Sequence, residues 1–376
     1  MIKFIRFDRQ ELAGAFGDIG TDFPLLVGMI LAARLDACSV LVMYGLMQII
    51  TGLIYQRPMP VQPLKAVAAL VITQKLAAGT LYGGGLAIGA IMLILTLSGL
   101  LDFIARSIPK MVVRGIQLGL GMSLGLLALK EYLPRDGTMG YVLGMIAFIL
   151  IFWLLPNKRF PAALAVISLG LIYAFTFKLK WMDLNNAFGF SLPSLHVPAW
   201  SDIVTGFVLL ALPQIPLSLG NSILATRQVN EDLFPQRPLT IRKIGSTYSI
   251  MNLINPFFGG VPVCHGSGGM IGHYTFGART GGSIVLYGLM YLIFGLFFSQ
   301  GFSQVINIFP MPILGVILLF EALGLMVLVQ DISSDHRQLW IALMVAMAAC
   351  ALPYGFIIGL VVGLLAARFY QRPIIK

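Results

Sequence analysis

Gln62, Lys65, His265 and Ser267 stand out first, because each is a polar side chain set beside a proline or glycine inside otherwise apolar sequence. Gln62 and Lys65 flank Pro63 in MPVQPLKA (59–66), and His265 and Ser267 bracket Gly266 in VPVCHGSG (261–268). Pro60 and Pro262 cannot lie inside a helix, since proline lacks the N–H and its ring clashes with the preceding turn. Pro63 suits a first helical position, where the missing N–H costs nothing. Each run is therefore expected to be a short strand-like lead-in to a half-helix, over residues 64–75 and 266–276. Half-helix N-termini carry unpaired N–H groups and a partial positive charge, which suit an anion. Gly266, Gly268 and Gly269 would let backbone approach a ligand closely. This chemistry is binding, not bond making. The sequence has no nucleotide-binding glycine loop, no metal spacing and no nucleophile paired with a base in a polar region, so no catalytic residue, metal or cofactor is expected.

The elements that must position these residues are membrane spans. The chain is 58% apolar and 11% charged, with a mean hydropathy of +0.90. A soluble protein of this length carries roughly twice that charged fraction. Apolar runs recur throughout, which implies an all-α polytopic membrane protein. A span needs about 20 apolar residues. That ruler gives segments near 12–33, 38–55, 60–75, 80–101, 111–129, 140–155, 161–177, 202–226, 244–257, 262–276, 282–299, 304–330, 338–352 and 354–370, so about fourteen spans. The third and tenth are too short to cross as helices. Their lead-ins must complete the crossing, buried in protein or lining a cavity. MIKFIRFDRQ lacks a long apolar core and a small-residue cleavage site, which argues against a cleaved signal peptide. Only residues 371–376 follow the last apolar run, so no soluble C-terminal domain is expected.

The net charge of +10 does not imply a nucleic-acid partner, because the basic residues are scattered between apolar segments. Lys3, Arg6, Arg9, Arg57, Arg106, Lys110, Lys158, Arg159, Arg227, Arg237, Arg242, Lys243, Arg279, Arg337, Arg368, Arg372 and Lys376 fall on one side of the fourteen-span topology. Arg34, Lys75, Lys130, Arg135, Lys178 and Lys180 fall on the other. A bias of roughly three to one orients both termini to the cytoplasm. Cys38, Cys264 and Cys350 are too far apart in sequence to suggest a disulfide framework or a zinc site.

The two broken segments stand 202 residues apart in register: Met59/Val261, Pro60/Pro262, Val61/Val263. The spans at 108–126 and 309–327 echo one another as well. Seven spans per half is an odd number, so the second half must be inverted, and inverted repeats with a midplane site are a common transporter architecture. A membrane anion transporter with its site between the two half-helix ends follows from this pattern.

Other polar residues fall where lipid should be. The first span carries Asp18, Thr21 and Asp22; its repeat mate, the eighth, carries Gln214, Ser218, Asn221 and Ser222. Such groups face a cavity or a partner, because facing lipid is costly, and small residues among them also serve close helix packing. Lys65 must be paired or neutral: it counters a substrate anion, or it pairs with Asp18 or Asp22. His265 or Ser267 is either a ligand or an N-cap. Glu321 either carries a coupling proton, as Asp18 also could, or bonds to the fifth span around Gln117.

ELAGAFGDIGTDFPLLVGM (11–29), MPVQPLKAVAA (59–69), LGNSILATRQVNEDLFP (219–235) and CHGSGGMIGHYTFGARTGGS (264–283) resemble the signature segments of the molybdate transporter family, a branch of the sulfate permease superfamily. The resemblance covers essentially the whole chain. It implies the fold shared by sulfate and uracil permeases, with seven plus seven inverted spans. Residues 11–101 and 202–300 would form a core domain, 102–177 and 301–370 a gate domain, and 178–201 the outer connection between repeats. It further implies secondary transport by an elevator-like movement of core against gate. The implied substrate site is Asp18, Thr21, Gln62, Pro63, Lys65, Gln214, Ser218, Asn221, Cys264, His265, Gly266, Ser267 and Gly268. The eighth segment departs from the family pattern at Gly220–Ser222 and Arg227–Gln228, which leaves that span's contacts open. Expected partners are molybdate, with tungstate or sulfate as alternatives, membrane lipid, and a second copy through the gate domain. The expected location is the inner membrane of a prokaryote. A nucleobase–proton symporter on the same fold would want acids in the eighth and tenth segments; this chain has Gln214 in the one and no acid between Val261 and Arg279 in the other.

Overall fold

The two proline-bearing lead-ins meet as a pair of strands in the middle of a helical protein. This computed structural model describes residues 5–101, 103, 108–157, 161–178 and 187–370. Strand β1 (Val61–Pro63) pairs antiparallel with β2 (Val263–His265), with Val61 opposite His265, Gln62 opposite Cys264 and Pro63 opposite Val263. Under the 202-residue offset Gln62 and Cys264 are counterparts and the flanking pairs exchange, so the pairing is symmetric under that offset. An isolated pair of such short strands would be marginal. Here both are fully buried and each is clamped by one side-chain amide. Gln48 accepts from the Val61 N–H at 2.9 Å and donates to its carbonyl at 2.7 Å. Asn252 does the same to Val263, at 2.9 and 2.6 Å.

The first half supplies α1 (Arg9–Ala15), α2 (Ile19–Ala33), α3 (Ala37–Tyr55), α4 (Lys65–Gln74), α5 (Ala78–Leu97), α6 (Lys110–Leu127), α7 (Gly137–Leu154) and α8 (Ala162–Tyr173). The second supplies α9 (Trp200–Leu233), α10 (Ile241–Ile254), α11 (Ser267–Thr275), α12 (Gly282–Ile308), α13 (Met311–Val327), α14 (His336–Ala351) and α15 (Gly355–Tyr370). α9 contains π-helical turns at Phe207–Ala211 and Ser218–Leu224, on either side of Pro213 and Pro216, which cannot complete regular helical bonding. α3 packs along α12, and α5 along α10 and α9. Shifting α3 and α5 by 202 residues lands on α10 and α12, so these two packings are counterparts. On the other side of the protein α6 packs against α13 and α14, and α14 against α15.

Several boundaries differ from the sequence expectation, each for a local reason. The first span is broken between α1 and α2, whose axes differ by 43°. Pro63 is not the first residue of α4. It belongs to β1, and Leu64 is the N-cap, its N–H bonded to the Pro262 carbonyl at 3.0 Å. The apolar run at 304–330 divides at Pro310, so α12 runs on to Ile308 and α13 starts at Met311. α12 also bends at Phe298. The carbonyls of Leu296 and Phe297 beside that bend accept from Ser191 and Gly189, which ties down the described part of the connection between halves.

Among the described residues six helices are long and apolar enough to cross a bilayer alone, or seven if α1 and α2 form one span. The expected fourteen included α4, α8, α14 and α15, which are apolar but run only 10–17 residues. It also split the 45-residue stretch Lys110–Leu154, where Gly137 at φ +61° interrupts the helix.

Arg57, Arg237 and Lys243 lie close together: Arg57 donates to the Asn230 side chain and to the Arg237 carbonyl, and Lys243 reaches the Ile54 carbonyl. Lys75 pairs with Glu131 and Lys178 with Asp136 among the residues assigned to the opposite side, each at 3.0 Å. Lys3, Arg106, Lys158, Arg159, Lys180, Arg372 and Lys376 lie outside the described residues.

Candidate functional site

Two broken segments joined by a ladder bring two helix N-termini to one place, and a cavity of about 420 Å³ opens there. The start of α2 contributes Gly17, Asp18 and Thr21; β1 and α4 contribute Gln62 and Lys65; α9 contributes Gln214, Asn221 and Ser222. Cys264, Gly266, Ser267 and Gly268 come from β2 and α11, and Gln117 and Glu321 from α6 and α13 on the facing side. Gly324, Leu325 and Leu328 complete an apolar wall.

The two helix ends are not equivalent. At α4 the Gln214 Oε1 accepts from the N–H groups of Ala66 and Val67, at 3.0 and 3.3 Å. Those donors are therefore occupied, which corrects the expectation that both ends present free N–H groups. Gln214 is fixed in turn through its Nε2, which donates to Ser218 Oγ at 3.0 Å, and Ser218 is 2.7 Å from the Tyr248 hydroxyl. At α11 no side chain caps the helix; its N-cap residue is Gly266, so neither His265 nor Ser267 plays that part. Gly268 faces open space, with nothing within 4 Å of where a Cβ would stand. The end of α11 is the one that offers donors and partial positive charge to the cavity.

The charged groups are arranged differently from the sequence expectation too. Lys65 Nζ lies 2.5 Å from Glu321 Oε1, so its partner is neither Asp18 nor Asp22. Glu321 Oε2 also accepts from Thr21 Oγ1 at 3.4 Å. Glu321 does not bond to Gln117, whose Oε1 accepts from Arg114 at 2.8 Å. Asp18 is buried and takes a hydrogen bond from Gln62 Nε2 at 2.5 Å. Gln62 lies over Gly266, where a Cβ would run into its Oε1, and Asp18 lies over Gly269 in the same way. The first turn of α11 is thus glycine because two polar side chains occupy the space beside it.

Of the residues singled out in the sequence, Asp18, Thr21, Gln62, Lys65, Gln214, Asn221, Cys264, Gly266, Ser267, Gly268 and Glu321 line the cavity. Pro63, Ser218 and His265 do not. Pro63 is held in the ladder, and Ser218 stands behind Gln214. His265 is fully buried, with Nε2 2.7 Å from Thr247 Oγ1 and Nδ1 3.3 Å from the Pro60 carbonyl, because alternate strand residues point to opposite faces. The period of two in a strand-like lead-in is by itself enough to separate His265 from Cys264. Gln117 and Ser222 were missed as site residues; each was a polar residue in an apolar span. No group of three or more His, Cys, Asp or Glu side chains that could hold a metal occurs among the described residues.

Comparison with known proteins agrees with this geometry. Residues 10–124 and 206–325 match the family model described as "Molybdate transporter of MFS superfamily". The chain belongs to the molybdate transporter family. It is 33% identical to Molybdate transporter 2 of Arabidopsis thaliana, over 95% of this chain and 87% of the relative. Molybdate transporter 1 of the same plant is 31% identical, over 86% and 80%, and Molybdate transporter 1 of Chlamydomonas reinhardtii is 27% identical, over 96% and 92%. Among solved structures the chain superposes on the transmembrane domain of the cyanobacterial bicarbonate transporter BicA with a TM-score of 0.68 and 16% identity, over 96% and 98% of the two chains. It superposes on murine Slc26a9, an anion transporter described in the inward-facing state, with a TM-score of 0.71 and 12% identity, over 97% and 69%. The chain thus shares the fold of these two anion carriers, despite the MFS wording of the family description. The chain is an integral membrane transporter and not an enzyme.

Proposed function

We propose that this chain is a secondary transporter for molybdate, with the anion held against the N-terminus of α11. The uncapped start of that helix, opening on a cavity that also carries Gln62, Thr21, Asn221 and Ser222, is the observation that carries the reading. Molybdate is a tetrahedral dianion with acceptors only, so it is matched by N–H donors, amides and hydroxyls. Its size and charge are close to those of sulfate; the names of the relatives, not the local chemistry, favour molybdate, with tungstate or sulfate as alternatives.

Transport is proposed to follow an elevator-like route, with residues 11–101 and 202–300 as a moving core and 102–177 and 301–370 as a gate, arranged as seven plus seven inverted spans. The packing of α3 on α12 and α5 on α10 within one group, and of α6 on α13 and α14 within the other, supports this division. The cavity lies along the boundary, and both contacts of Glu321 cross it. Lys65 and Glu321 offset each other as an ion pair, and α11 adds roughly half a positive charge. An arriving dianion therefore draws Lys65 away from Glu321, loosening the core from the gate. Both termini are proposed to be cytoplasmic, the membrane to be a prokaryotic inner membrane, and the gate to be the surface for a second copy.

The test is binding of molybdate to the purified protein, with tungstate and sulfate as competitors, for the parent and Gln62→Ala. Molybdate binding displaced by tungstate and lost in Gln62→Ala is the expected result. Equal displacement by sulfate makes it a general oxyanion carrier, and absence of any oxyanion binding overturns the reading.

A further inference from the structure

Among the described residues Asp22 is an acid near the site that the binding geometry leaves unused. Its side chain is fully buried and does not line the cavity. Among the described residues neither of its carboxyl oxygens has a hydrogen-bond partner. The hydroxyls of Tyr44 and Tyr287 lie against it. Tyr44 donates to the Val61 carbonyl at 2.7 Å, and the Tyr287 and Tyr291 hydroxyls are paired at 3.1 Å with either as donor, so both tyrosines are shared with other partners. An unpaired carboxylate out of water costs several kcal/mol. The position of Asp22 in the first turn of α2 returns only about 0.3–1 kcal/mol through the helix dipole. Burial therefore outweighs the dipole, and the ionised form persists only while the positive charge of nearby Lys65 offsets it.

The surrounding charges connect that proton to the anion. The groups facing Asp22 are Asp18 at the N-cap of α2, Tyr44 on α3, Lys65 on α4, Cys264 on β2, and Tyr287 and Tyr291 on α12. His273 of α11 packs edge-on to Tyr287, with ring centroids 5.8 Å apart. Counting Glu321 across the cavity, three carboxyl groups share this region with the single ammonium of Lys65. Glu321 has Lys65 and Asp18 has Gln62, so each of those acids already has a donor. A dianion added beside three ionised acids is strongly opposed.

We propose that Asp22 is the proton-binding site of this carrier: one proton is taken up on Asp22 when the oxyanion binds and is released from it when the anion leaves. This rests on the transport reading above and places coupling behind the site, at Asp22, not at Asp18 or Glu321. No bond other than the O–H of the carboxyl forms or breaks.

The test is molybdate affinity measured from roughly pH 6.5 to 9, with proton uptake followed by an indicator dye in weak buffer as molybdate is added. If one proton enters with each anion, affinity falls by about tenfold per pH unit above the midpoint. Asp22→Asn is expected to bind molybdate with no pH slope and no proton uptake, His273→Gln to keep the parental slope, and Asp22→Glu to keep a slope with a displaced midpoint. A parental slope in Asp22→Asn overturns the proposal. Should that variant not fold, an unmoved midpoint in Asp22→Glu, or no proton uptake by the parent, overturns it equally. If the parent binds no oxyanion at any pH, the transport reading has failed; if it binds without a pH slope, only the coupling assignment has.

Discussion

Lys65 and Glu321 form a 2.5 Å ion pair that joins α4 to α13 across the cavity, with Glu321 almost buried and Lys65 about one-third exposed. A cation already paired with a carboxylate must be shared when an anion binds beside it. Glu321→Gln frees Lys65 and is expected to raise molybdate affinity about tenfold, equivalent to about 1.4 kcal/mol. Lys65→Met is expected to lower affinity by at least about as much, because the cation is lost and Glu321 stays unpaired. Isothermal titration of the two variants checks both; equal weakening by both would mean the pair is structural only.

The cap on α4 predicts a different kind of effect. Gln214 lines the cavity, but its oxygen is spent on the Ala66 and Val67 N–H groups. Gln214→Ala is expected to destabilise the protein by about 1 kcal/mol, the usual cost of a lost cap. Gln214→Glu keeps an acceptor and is expected to recover most of that. Thermal melts in detergent decide it, and a Gln214→Ala protein that melts like the parent would remove the cap from the account.

How much of this was readable beforehand depends on the length scale of the signal. Proline placement located both half-helices to within a residue or two, because the missing N–H is a local fact that no tertiary context repairs. The register of Val61 with Val263 was visible as well, and the same two residues turn out to carry the amide clamps. Partners were not readable. Lys65 and Glu321 are 256 residues apart, and Asp18 offered itself as the nearer choice. Equally hidden was the fate of the Gln214 amide, since an N-cap supplied from another helix leaves no spacing in sequence. His265 was misjudged for a simpler reason: adjacent strand residues point to opposite faces.

Those clamps make a further prediction. Gln48 and Asn252 each satisfy one N–H and one carbonyl of a buried strand residue. Leaving a buried donor or acceptor unmade costs about 1–3 kcal/mol. Gln48→Ala and Asn252→Ala are expected to lower the melting temperature more than any substitution at the cavity wall, Asn252→Ala the more, since Tyr44 still donates to the Val61 carbonyl when Gln48 is lost. A large loss in one and none in the other would show that the halves do not share the load at the ladder.

Gly268 gives the sharpest separation of binding from folding. A Cβ there meets nothing within 4 Å, so the backbone tolerates a side chain, but that side chain projects into the cavity beside the free N-terminus of α11. Gly268→Val is expected to abolish molybdate binding while leaving the melting temperature within a degree or two of the parent, allowing for a small helix-propensity change. Gly269→Ala at the next position should differ in stability, because its Cβ runs into the Asp18 carboxylate and the Pro60 ring. It is expected to lose stability as well as binding. Measuring both properties on both variants tests whether the anion sits at the start of α11: binding that survives Gly268→Val would move the site elsewhere in the cavity.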